Sequence, residues 1–314
     1  MVKILISADM EGATGVTWPA DVLPGTPQWE RCRALFTSDV QAAALGFFDG
    51  GADRVLVNEA HWTMRNLLLE RLDDRVEMLT GRHKSLSMVE GVQHGDVDGI
   101  AFVGYHAGAG MEGVLAHTYL ANSITGVWLN DVRASEGLLN AHVVAEYGVP
   151  VVLVTGDDVA CEDALGYAPE ALKVAVKDHV SRYAAVCRTP ARTAADIRAA
   201  AKEAVALAGR RDPMAGRPHT AGGPGADGGL HAVDGPGGSG GPRTAGGPVV
   251  AGGPYTVAVE FDAEHLAMAA TVVPGVDRIG ERKVAYTSPT MYEGIRTFKA
   301  VTTVVSAAVE EQYG

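Results

Sequence analysis

The chain has little that would tie it to nucleic acid, to a membrane or to an oxidising compartment. Its three cysteines, Cys32, Cys161 and Cys187, are odd in number, far apart and without a CxxC partner. That suits buried thiols in a reducing compartment better than a disulfide framework. No run of five basic residues occurs, and 26 Lys and Arg stand against 38 Asp and Glu, a formal charge of -12. General affinity for nucleic acid or anionic lipid needs clustered cations, so both are excluded as partners. No apolar stretch approaches the roughly 18 residues that would span a bilayer. Met1-Val2-Lys3 leads straight into a strand-like run without the order of a secretory leader, so the expected location is the cytoplasm. What remains is a globular chain of 314 residues, 47% hydrophobic, long enough for one large or two modest domains.

Its apolar segments alternate between two patterns. Lys3 to Ala8 contains the continuous run Ile4-Leu5-Ile6, as expected of a parallel strand covered on both faces. Trp29 to Phe48 has helical spacing and ends at Gly50-Gly51. Short buried strands follow at Arg54 to Asn58 and Gly99 to Gly104, then a strand at Ile124 to Leu129 and a helix over Ala134 to Tyr147. Pro150 to Val154 is β-rich and runs into Thr155-Gly156-Asp157-Asp158, where an Asp would cap a helix start. An Ala-rich helix is predicted over Thr193 to Leu207. The alternation indicates an α/β fold, a mainly parallel sheet with flanking helices, over residues 1-207.

Composition then changes. Between Ala215 and Pro254, 21 of 40 residues are Gly or Pro, and Thr-Ala-Gly-Gly-Pro occurs at 220 to 224 and again at 244 to 248. So little apolar side chain cannot offset ordering entropy, and residues 208-254 are expected to form a flexible insertion. Residues 255-314 read as a smaller α+β part packed on the first: a half-buried strand at Tyr255 to Phe261, a helix at Glu264 to Ala270, a strand at Lys283 to Tyr286 and a helix at Thr290 to Ala308.

Several polar residues fall just after predicted strand ends: Asp9 and Glu11 after the first, His61 after the second, His106 after the third. In open parallel sheets, such positions meet beyond the carboxyl ends of the strands. Asp9 and Glu11, two apart, can face one point within roughly 6 Å, and two like charges that close need a cation or strong donors. His117 and Glu136 are candidates to join. Carboxylates with imidazoles match borderline divalent metals such as zinc, manganese or cobalt. Asp9, Glu11 and Glu136 with one hydroxide would balance the charge of two such ions.

The set Ser7-x-Asp9-x-Glu11-Gly12, Asn58-x-x-His61 with Met64-Arg65-Asn66, Gly104-x-His106, His117, and Asn130 with Glu136 resembles, in order and spacing, the D-aminopeptidases of the dipeptide-transport type, the M55 metallopeptidases. Gly156-Asp157-Asp158 and Val273-Pro274-Gly275 extend the likeness, which covers nearly the whole chain except the insertion. The resemblance implies two zinc ions, with Asp9 bridging, Glu11 and His61 completing one site, and His106 and Glu136 the other. It implies a catalytic role for His117, a short peptide substrate, and a homo-oligomer in the form of a decameric ring.

On that basis the expected activity is removal of the N-terminal residue from short peptides, D-amino-acid peptides among them, by a metal-bridging hydroxide. His117 would pass a proton to the leaving amine or stabilise the oxyanion. The substrate amine would be held by a metal or by Asp157, Asp158 or Glu162, although capping is the favoured role of the aspartates. The same cluster also fits a dinuclear amidase or phosphoesterase, or a non-catalytic metal-containing peptide-binding protein. Two residues depart from the family pattern: Glu59 stands where Asp is expected, and Trp62 where a small residue is expected.

Overall fold

The computed structural model describes residues 1–209 and 252–309, so most of the segment expected to be a flexible insertion lies outside the described residues. In chain order the strands are β1 (Lys3–Ala8), β2 (Arg54–Glu59), β3 (Val76–Leu79), β4 (Gly99–Tyr105), β5 (Ile124–Leu129), β6 (Val132–Arg133), β7 (Val151–Asp157), β8 (Leu172–Ser181), β9 (Ala184–Cys187), β10 (Tyr255–Phe261), β11 (Asp277–Arg278) and β12 (Lys283–Ser288). The α-helices are α1 (Pro19–Val22), α2 (Pro27–Asp49), α3 (Glu136–Glu146), α4 (Asp158–Tyr167), α5 (Pro190–Ala204), α6 (Glu264–Ala270) and α7 (Met291–Ala308).

Seven strands form one sheet in the order β3-β2-β1-β4-β7-β8-β9, parallel throughout except that β9 returns antiparallel beside β8. The other five form an antiparallel sheet, β11-β12-β10-β5-β6, drawn from both sides of the Gly/Pro-rich stretch. This is the expected α/β architecture with a smaller antiparallel part. The reason lies in β1: its side chains alternate between two apolar layers, so neither face can be left to water. Ile4 and Ile6 pack with Phe36, Val40 and Phe47 of α2 and Ile197 of α5. Leu5 packs into the layer that holds Leu139 of α3, Val257 of β10 and Phe298 of α7.

Most expected elements appear with ends shifted by a few residues. α2 starts at Pro27, with Thr26 as N-cap accepting from the Trp29 amide at 3.1 Å. α5 starts at Pro190 and ends at Ala204. The short β3 and the β8–β9 hairpin had no clear period, because their residues are largely half-buried or exposed.

α3 lies between the sheets' apolar layers and carries His142, whose ring stands edge-on to Tyr255 with centroids 5.7 Å apart. Its Nδ1 is buried without a hydrogen-bond partner, and burial pushes its pKa down to about 4. The folded state therefore keeps His142 neutral, while the unfolded chain takes up a proton near the usual 6.5. This contribution to stability is present above about pH 6.5 and is lost as pH falls, reaching about 2 kcal/mol at pH 5. His142→Phe should shrink the loss of unfolding free energy between pH 7 and pH 5 by about that amount. An unchanged loss in denaturant titrations would contradict the assignment.

Candidate metal centre

The order of the parallel sheet reverses at β1, with β2 on one side and β4 on the other. The crevice beyond β1's carboxyl end is therefore where loops from neighbouring strands diverge and leave room for a site. Register aligns the contributors: Ala8 pairs with Glu59 of β2 and with Val103 of β4. Asp9, His61 and His106 thus leave the sheet at one edge. Two glycines let the first and third loops touch. The Gly12 amide donates to the Gly104 carbonyl at 2.8 Å. A Cβ on Gly12 would lie 1.9 Å from the Tyr105 backbone carbonyl oxygen, and one on Gly104, at φ +76, 2.1 Å from the Asp9 backbone carbonyl oxygen.

All six residues singled out from the sequence converge there. Asp9 divides its oxygens, with Oδ1 3.5 Å from His61 Nδ1 and Oδ2 3.2 Å from His106 Nε2. Glu11 Oε2 lies 3.0 Å from His61 Nδ1, and its Oε1 3.8 Å from His117 Nε2. Glu136 enters from the first turn of α3, whose N-cap Ser135 accepts from the Leu138 amide at 3.1 Å. Its Oε2 is 3.6 Å from His106 Nε2, and its Oε1 accepts from the Tyr119 amide at 2.6 Å. The ligand atoms fall into two groups, Asp9, Glu11 and His61, and His106, His117 and Glu136, each within 4.8 Å.

The histidines are oriented by the backbone. His61 Nε2 lies 2.8 Å from the Val22 carbonyl, His106 Nδ1 3.0 Å from that of Ala107, and His117 Nδ1 2.8 Å from that of Leu115. A carbonyl only accepts, so each of these nitrogens carries a proton and the other nitrogen of each ring faces the cluster. Asp9 Oδ2, Glu11 Oε2 and His106 Nε2 are buried there and make no hydrogen bond. Buried polar atoms without partners are rare and costly. A divalent cation is the group this donor set fits, since oxygen and imidazole nitrogen are the ligands of zinc and its neighbours.

Charge tells the same story. Burial pushes Asp9 up, yet the imidazoles of His106 and His61 close beside it hold its carboxyl well below the usual range. Burial works most strongly against the Glu11 carboxylate, and the neighbouring His61 and His117 together still leave it below the ordinary value. Conversely, burial lowers His106 and His61, but Glu136 and Asp9 beside the first, and Glu11 and Asp9 beside the second, raise both well above the ordinary value. The pocket draws positive charge to itself. His117 differs: its ring stacks on His106 at 4.3 Å and 7°, and it is the most open of the six, with 14% of its side chain exposed.

Other polar residues prove to be supports. Asp157 caps α4, accepting from Ala160 N at 2.8 Å, and also accepts from Val114 N at 2.6 Å, in the loop leading to His117. Asp158 accepts from His179 N at 2.7 Å. Glu162 is exposed on α4. Trp62, beside His61, is 53% exposed at φ +42. Lys177, fully buried in β8, received no role from the sequence, although a lysine directly after the apolar run Val174-Ala175-Val176 was the available signal.

An α/β sheet with carboxylates and imidazoles gathered beyond its switch point is a donor set that could hold a divalent cation. The profile of the M55 peptidase family, described as D-aminopeptidase, matches residues 2–221 and 242–300. The chain belongs to that family. It is 36% identical over 191 residues to a D-aminopeptidase of Bacillus subtilis (strain 168), a match over 61% of this chain and 69% of that protein. The solved structure of the Zn-dependent D-aminopeptidase DppA from Bacillus subtilis, described as a self-compartmentalizing protease, superposes with a TM-score of 0.82 at 26% identity. That match covers 99% of this chain and 100% of DppA.

Glu59 shows how the second loop is held. Its carboxylate accepts from the amides of Asn66 at 2.5 Å and Leu67 at 3.1 Å, pinning the turn that begins at His61. Glu59→Ala would leave two buried N–H groups unpaired, and should cost about 2–4 kcal/mol in denaturant unfolding. A change below about 0.5 kcal/mol would show that this turn does not depend on the carboxylate.

Proposed function

We propose that the chain is a zinc-dependent aminopeptidase that removes the N-terminal residue of short peptides, D-amino-acid peptides in particular. The observation that carries this reading is the convergence of six buried or near-buried ligand atoms, three of them without hydrogen-bond partners. Asp9, Glu11 and His61 would hold one cation and His106 with Glu136 a second, with Asp9 shared, since its two oxygens face different histidines. Divalent cations bound there would polarise the scissile carbonyl and acidify the attacking water.

The chain's own contribution is orientation and proton transfer. Backbone carbonyls fix the three rings, so the nitrogens facing the cluster need no reorganisation when substrate arrives. His117 Nε2, with Nδ1 committed to Leu115, is free to take a proton and return it to the leaving amine. Asp157 and Asp158 are spent on backbone amides, which leaves the substrate's amine to a cation held by the cluster or to Glu162. Trp62, half exposed beside His61, would narrow the approach.

The same reading treats residues 1-207 as the metal-binding α/β domain, 208-254 as an insertion and 255-314 as a smaller part packed on it. It takes the protein to be a cytoplasmic homo-oligomer; DppA is described as self-compartmentalizing, and among the described residues no helix is long and apolar enough to cross a membrane. A decameric ring is the specific form proposed.

Release of free amino acid from paired D- and L-dipeptides, with zinc and with chelator, tests the function. The expected result is chelator-sensitive cleavage favouring the D-residue. Asp9→Ala should lose both zinc and activity, whereas His117→Ala should keep zinc and lose about 100- to 10,000-fold in turnover. Chelator-resistant cleavage, or full turnover in His117→Ala, would contradict the assignment.

A further inference from the structure

Lys177 lies in β8 with no accessible surface, yet carries a charged group. Its ammonium donates to three carbonyls of one loop: Glu11 at 2.6 Å, Ala13 at 3.0 Å and Val16 at 2.6 Å. An ammonium has three hydrogens, so its donors are fully used by that loop. The same loop is held from the other side by Asp39 of α2, whose carboxylate accepts from Thr14 N at 2.8 Å and Thr14 Oγ1 at 2.9 Å. Gly12 ties it to β4. Burying an ammonium is costly, and apolar packing would fill the space at lower cost. A single atom that gathers three carbonyls does what apolar packing cannot: it fixes the backbone at Glu11 relative to the sheet. Metal ligands tolerate displacements of only about 0.5 Å.

We propose that Lys177 is a positioning residue for the candidate metal centre, its ammonium fixing the Glu11 to Val16 loop so that Glu11 meets Asp9 and His61 at ligand distance. The inference rests on the metal-dependent reading above. Lys177 makes no hydrogen bond to the backbone of His106, His117 or Glu136, so its effect should fall on one of the two ligand groups.

The test is zinc titration of the full chain against a chelating dye, which needs no turnover. Glu11→Gln and Glu136→Gln identify which class of zinc affinity belongs to which group. Lys177→Met removes all three donors, and Lys177→Gln retains an amide donor as the milder change. The expected result is a cooperative melt with the class that Glu11→Gln weakens falling about 10- to 100-fold, the other class unchanged, and Lys177→Gln intermediate. Wild-type affinity in Lys177→Met overturns the proposal. So does equal weakening of both classes, which marks a general structural role. Loss of a cooperative melt in both Lys177 variants assigns the residue to folding alone and also overturns it. A wild-type chain that takes up no zinc refutes the metal reading itself, and is told apart because the variants are then irrelevant to it.

Discussion

Three carboxylates, Asp9, Glu11 and Glu136, share a pocket from which water is nearly excluded. Their mutual repulsion grows as the local dielectric falls, and no lysine or arginine forms an ion pair with them among the described residues. Imidazoles stand in the places where cationic side chains would otherwise relieve the charge. This is the constraint on which the rest of the arrangement depends: the fold has to supply, at one point, a charge that its own side chains meet only by drawing protons onto His61 and His106. A site that needs a cation and offers oxygen and nitrogen lone pairs selects a divalent metal on chemical grounds.

Everything near the pocket follows from holding those lone pairs still. The reversal of strand order at β1 opens the crevice, and register places the three loop entries at one edge. Each histidine then has one nitrogen committed to a carbonyl, so orientation is settled by the backbone. Around this lies a ring of buried charges with no access to substrate. Glu59 pins the His61 turn, Asp157 ties the start of α4 to the loop before His117, and Lys177 gathers the loop after β1. A rigid surround of this kind is what a hydrolytic centre requires, because preorganised groups need not move when charge develops.

The sequence made the centre of the fold legible because β1, β4 and β7 are buried on both faces and read as unbroken apolar runs. The six clustered residues were legible for a related reason: strand ends in a parallel sheet share an edge, so residues far apart in the chain can be grouped before the structure is seen. The edge strands β3 and β9 were not legible, since half-exposed residues carry neither period. The roles of Glu59 and Lys177 were hidden because both act through backbone atoms, and a carbonyl or amide leaves no mark on the residue type that supplies it. Conversely, Asp157 was readable as a cap because an aspartate at the boundary of strand and helix has a local reason to be there.

The central claim is that these side chains exist to hold cations together. Anomalous diffraction at the zinc edge, from crystals grown with zinc, addresses it most directly. The account predicts two strong peaks enclosed by Asp9, Glu11, His61, His106 and Glu136, with Asp9 touching both. Zinc absent from this pocket, or found only elsewhere on the molecule, would contradict it.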